Sequence, residues 1–170
     1  MASETTFEQL FRSATESALH LEMRDGYMRA EPGFVAWTQG RIEVDDPESV
    51  WWRNLVRTSV ARGVHVRRAR IVSEPLSDYT QYEYDITEQH NIAAGEVVRW
   101  LPRRGATPLL LPANDFWLFD GKTLLVNHFT GNGDWTDTEQ VTDPIVVRQC
   151  AEAFAHVWSL AEPHSQYRRS

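Results

Sequence analysis

The chain has 170 residues, 42% of them hydrophobic and 24% charged, with seven Trp. That length and apolar content support one packed domain and exclude intrinsic disorder. A formal net charge of −7 argues against a general nucleic-acid binder, and no apolar run is long enough for a membrane span or a signal peptide, so the expected location is the cytoplasm.

The first element is a predicted helix from about Thr6 to Ala18, because Thr5 and Glu8 form a capping-box pattern and Phe7, Leu10, Phe11, Ala14 and Ala18 repeat at helical spacing. The stretch from His20 to Tyr27 then reads either as a short strand or as the frayed end of that helix. If it is extended, His20, Glu22 and Arg24 share one face, a combination suited to acid–base work or to a surface hydrogen-bonded trio. Two short runs, 34–37 and 41–44, fit two brief strands or an irregular crossover. Asp46-Pro47 starts a helix that Gly63 ends, with Val50, Trp51, Leu55, Val56 and Val60 as its expected buried stripe.

Residues 64–72 read as a strand leaving that helix almost directly. Ser77-Asp78 caps a further helix to about Asn91, whose Tyr79, Tyr82 and Tyr84 either pack or build a binding face. After Gly95, residues 96–101 form a strand that Pro102 ends. The turn Asp120-Gly121 lies between two apolar runs and marks a hairpin. Phe116, Leu118, Leu124 and Val126 supply one of its faces and Trp117, Phe119 and Leu125 the other, so both faces are expected to be buried. A turn-rich loop at Gly131–Trp135 precedes the final helix, which Asp143-Pro144 starts and Pro163 ends. His164 to Ser170 read as a loose tail. With no repeat and no internal boundary, the fold class is α/β, an α+β mixed sheet flanked by helices in a single domain over 1–170.

Chemistry is harder to place. The lone Cys150 fits a reducing compartment and sits in the apolar run of the last helix, where packing is its natural role. No Gly-x-Ser-x-Gly or phosphate-cradling Gly-rich motif is present, and the six His show no metal-ligand spacing, so neither metal nor cofactor is expected. Glu22, Asp25, Asp115 and Asp120 are candidate acid–base carboxylates. Arg57, Arg62, Arg67, Arg68 and Arg70 cluster without an acid among them, followed by Arg99, Arg103 and Arg104; they form either a solvated surface or a patch for an anion or partner.

The order of elements from 47 to 162, with Gly95-Glu96-Val97-Val98-Arg99 and Phe116-Trp117-Leu118-Phe119-Asp120-Gly121-Lys122, resembles one half of a phospholipase D-like domain. Residues 1–46 would then be an N-terminal extension packed on that core. In catalytic members of that family a His-x-Lys pair precedes the Asp of the hairpin turn, the His being the nucleophile and the Lys binding phosphate. Placing Asp120 on that Asp puts Ala113 and Asp115 where the His and Lys would stand.

Over nearly its whole length the sequence also resembles an uncharacterised actinobacterial family known as a domain of unknown function. The matching stretches are 20–27, Ser73-Glu74-Pro75-Leu76-Ser77-Asp78-Tyr79, 99–102, 114–120 and Pro163-His164-Ser165-Gln166-Tyr167. Members are often encoded beside helix-turn-helix regulators, which the resemblance implies as a protein partner. Together these features lead to the expectation of a non-catalytic regulatory or interaction module, with Arg67, Arg68, Arg70, Tyr79, Arg99 and Asp115 as binding residues. The alternative is a phosphodiesterase or toxin-like hydrolase with a relocated site drawn from His20, Glu22, Arg24, Asp25 and His128. Because phospholipase D sites need two halves, that version implies a homodimer bringing His128 or His65 across its axis.

Overall fold

The computed structural model describes residues 5–169; residues 1–4 and Ser170, which the one-domain and tail readings include, lie outside the described residues. In chain order the elements are α1 (Thr6–Ser13), β1 (Ser17–Glu22), α2 (Pro32–Thr38), α3 (Pro47–Ala61), β2 (His65–Val72), α4 (Asp78–His90) and β3 (Val97–Pro102). After short 3-10 turns at Ile92–Ala94 and Arg103–Ala106 come β4 (Phe116–Phe119), β5 (Thr123–Phe129), β6 (Trp135–Val141), α5 (Pro144–Leu160) and β7 (Glu162–Pro163).

The strands form one seven-stranded sheet in the order β6-β5-β4-β1-β2-β3-β7. β1, β2 and β3 run parallel, as strands joined through helical crossovers do, and every other neighbour pairs antiparallel. Alternation along each strand splits the interior into two layers. On one face α5 lays Val147, Cys150, Phe154 and Val157 against Leu21, Ala69, Ile71, Leu101, Phe116, Leu118 and Leu124. On the other, α1 and α3 cover Ala18, Val66, Trp117, Phe119 and Leu125 with Phe11, Trp52, Leu55 and Val56. The hairpin is therefore buried on both faces, divided as its sequence implies.

Helix starts follow their caps. The Asp46 carboxylate accepts from the N–H groups of Glu48 and Ser49, Ser77 accepts from Thr80, and Asp143 accepts from Ile145 and Val146. Asp120, at the hairpin turn with φ 50°, accepts from the backbone N–H groups of Thr15, Glu16 and Ser17. These contacts anchor the start of β1.

That anchor corrects the first expected element. The helical repeat stops at Ser13, and Ala18 belongs to a strand, because the Asp120 contacts and pairing with β2 and β4 outweigh the local helical pattern. It also corrects the view of 1–46 as an extension: β1 lies in the middle of the sheet, between β4 and β2. The 34–37 run is a helix with Pro32 in its first turn, and 41–44 is irregular.

Three further expectations change. On α3 the buried positions are Ser49, Trp52, Arg53, Leu55, Val56 and Ser59, whereas Val50, Trp51 and Val60 are exposed. Trp135, expected in the turn-rich loop, and residues 136–141, unassigned from sequence, form the edge strand β6. The tail is docked: Tyr167 is buried, stacks on Trp100 at 5.4 Å between ring centroids, and donates to Glu74 at 2.7 Å.

Candidate functional site

Strand periodicity decides what lies beneath the helices α2, α3 and α4. His20 and Glu22 on β1 point to the same side, and the parallel register sets Arg68 beside His20 and Arg70 beside Glu22. Trp117 is the partner of His20 on β4. These side chains form the floor of a cleft of about 780 Å³, walled by Trp52 of α3, by Tyr79, Tyr82, Glu83 and His90 of α4, and by Tyr27 and Glu31 of the loop before α2. Gly33 gives Tyr82 its room, since a Cβ there would collide with the tyrosine hydroxyl.

The floor is a closed ionic network. Arg68 pairs with Glu22 and, at 2.6 Å, with Glu96. Arg70 donates to Glu22 at 2.7 Å and to the Thr87 hydroxyl at 2.7 Å. The His20 ring stacks on Trp117 at 4.2 Å, its Nδ1 meets the Phe116 carbonyl at 2.8 Å and its Nε2 lies 3.2 Å from Glu22. Buried charges of this kind persist when each has its partner, and Arg68 is also held between Trp52 and Trp117, 5.5 Å from each ring.

The carboxylates divide by environment. Burial raises the Glu22 pKa, but Arg70 and Arg68 outweigh it and hold the group well below the ordinary range. Burial pushes Glu83 up to about 8, against the pull of Arg70, so this acid carries its proton at neutral pH. Asp115 and Glu31 are raised too, mainly by burial. Tyr27 donates to Asp115, while Tyr79 and Tyr82 donate to Glu31 at 2.7 and 3.2 Å. Burial brings His90 down to about 4, leaving it neutral.

The residues singled out from sequence scatter. His20, Glu22, Arg68, Arg70, Tyr79 and Asp115 line the cleft. Arg67 and Arg99 face α5, both over the Trp158 ring. Arg24 lies over the Phe129 ring and does not line the cleft. Asp25 accepts from the backbone and hydroxyl of Ser73, fastening the loop after β2. His128 pairs with Glu139 across the β5–β6 edge, outside the cleft, and His65 is exposed at the start of β2. The Arg cluster thus forms no single patch: alternation sends Arg68 and Arg70 inward and Arg67 to the opposite face. Glu83, Glu31, Tyr27 and Trp52 went unrecognised as site residues, because only the packing of α4 and the 27–33 loop over β1 brings them together. Among the described residues no group of three His, Cys, Asp or Glu is arranged to hold a metal ion, and no helix is long and apolar enough to cross a membrane.

The sheet order and the layer of helices on each face define a mixed α/β domain with phospholipase D-family structural neighbours. Nuc from Salmonella typhimurium, a phospholipase D family member, superposes with a TM-score of 0.52 at 13% identity, over 95% of this chain and 88% of that one. NucT from Helicobacter pylori does so with a TM-score of 0.55 at 9% identity, over 93% and 88%. TrmBL2, an archaeal chromatin protein, gives a TM-score of 0.49 at 15% identity, over 92% of this chain, which spans 48% of TrmBL2. Among curated proteins no sequence matches. The chain belongs to the family described as a domain of unknown function (DUF6879), whose model matches residues 5–169.

Proposed function

We propose that the protein is a non-catalytic binding module that has kept a phospholipase D-like fold and uses the cleft over β1 and β2 to hold a small ligand. One observation carries this reading: the charges on the cleft floor are spent on one another. Arg68 and Arg70 are both engaged by Glu22, with Glu96 and Thr87 completing their shells. His20 on that floor is buried, stacked and in contact at both nitrogens. A nucleophile needs an exposed, activated lone pair, and phosphate needs a cation with donors to spare. Asp115 adds negative charge where the resemblance would place the phosphate-binding lysine.

In this reading the ligand-bound domain engages a protein partner, and the helix-turn-helix regulator implied by the family resemblance is the partner class; co-expression followed by size-exclusion chromatography tests that pairing. The main test is turnover of a chromogenic phosphodiester such as bis(p-nitrophenyl) phosphate. Rates for wild type, His20→Ala and His128→Ala are expected to match buffer. Wild-type turnover that disappears in either variant would establish the hydrolase instead.

A further inference from the structure

The cleft lining is lopsided in charge and rich in rings. Six acids besides the protonated Glu83 face it against the two guanidiniums Arg68 and Arg70, and nine aromatic side chains complete the wall. Two buried polar atoms on the wall also have no hydrogen-bond partner among the described residues: the Asn91 Oδ1 acceptor and the Trp52 Nε1 donor. Asn91 is 1% exposed and Trp52 7%, so neither side chain is freely served by bulk water. A ligand in the cleft or a bound water can supply the partners these atoms lack.

The molecule already holds one cation by this chemistry. Arg68 lies between Trp52 and Trp117 while Glu22 and Glu96 take its N–H groups. A second set of the same parts stands nearby on the wall. Tyr27 packs against Tyr79 at 5.8 Å and Phe129 at 5.4 Å, with Asp115 and Glu31 bonded to the tyrosine hydroxyls. Those hydroxyls donate to the carboxylates, so each acid keeps lone pairs open to a further donor. Arg24 covers the Phe129 ring but does not line the cleft.

Building on the binding-module reading, we infer that the cleft takes a small organic cation, an ammonium or guanidinium on an aromatic or aliphatic body. Its charge sits against Asp115 and Glu31 within the Tyr27 and Tyr79 rings, and its body runs along the cleft toward Trp52. Ring faces attract cations and carboxylates accept their N–H groups, whereas an anion would meet the same lining with repulsion.

The test is an NMR titration of the tryptophan indole N–H signals of the full chain with phenethylamine, a cation at neutral pH, its neutral analogue 2-phenylethanol, and phenyl phosphate. Phenethylamine is expected to saturate with a Kd at least about tenfold below both others, as one well-placed charge contact gives. Asp115→Asn and Glu31→Gln, each checked for an unchanged fold by circular dichroism, should each raise that Kd several-fold without affecting 2-phenylethanol. Equal or tighter binding of the alcohol or the phosphate, or no indole shift with phenethylamine, would overturn the inference. Phosphodiester turnover would sink the binding-module reading; its absence alongside a preference for phenyl phosphate would sink only the cationic ligand.

Discussion

At the scale of single residues, two acids that both looked like candidates for acid–base work hold the structure together. Glu22 joins Arg68, Arg70 and His20, all beneath α3 and α4. Removing one member of a buried ionic set leaves the others without compensation, so Glu22→Ala should cost about 3–5 kcal/mol by urea unfolding. A loss under about 1 kcal/mol would mean that the network contributes little. Asp120 takes three backbone N–H groups from 15–17 in a left-handed conformation. Asp120→Ala should cost about 1–2 kcal/mol, and Asp120→Asn less, since Asn tolerates that conformation and keeps one acceptor oxygen. Neither role was legible in the sequence, where the arginine partners of Glu22 and the backbone partners of Asp120 lie 46 or more positions away.

At the scale of elements, legibility followed local signals. Asp-Pro starts, the Asp-Gly turn and the two-faced apolar pattern of 116–126 all stand in the fold, because each works through neighbouring residues. Strand β1 was obscured by His20 and Glu22, polar residues pointing inward where apolar ones normally mark a buried strand. Strand β6, polar between Trp135 and Val141, is held mainly by pairing with β5, which no periodicity reports. The tail after Pro163 looked loose since only Tyr167 is buried there as a large side chain. Tyr167→Ala should cost about 3 kcal/mol or more in a urea melt, by loss of the Trp100 stack and the Glu74 hydrogen bond. Residues 164–169 should then become susceptible to carboxypeptidase.

At the scale of the whole molecule, the buried acids impose a pH profile. Glu83, raised from 4.5 to about 8, keeps a proton in the folded chain that the unfolded chain releases. Between those values folding binds the extra proton, so stability falls as pH rises, by at most ~1.4 kcal/mol per pH unit. His90, lowered from 6.5 to about 4, acts in the opposite sense, with a difference of about half a proton at pH 6.5 that fades above it. The decline should therefore show plainly from pH 6.5 to 8: the urea midpoint of wild type falls there, and that of Glu83→Gln stays level. A wild-type midpoint that rises over this window would contradict the burial of a protonated Glu83.

Of the candidate site, the sequence exposed His20, Glu22, Arg68, Arg70, Tyr79 and Asp115 as separate possibilities. Their convergence depends on the parallel register of β1 and β2, which no single stretch encodes. That convergence supports an internally neutralised floor and a binding role. The most direct measurement is 31P NMR of the protein incubated with a phosphodiester, quenched at alkaline pH, where a phosphohistidine would persist. The account predicts that all phosphorus remains in the diester and none on the chain. A protein-bound phosphorus–nitrogen signal that vanishes in His20→Ala would contradict it.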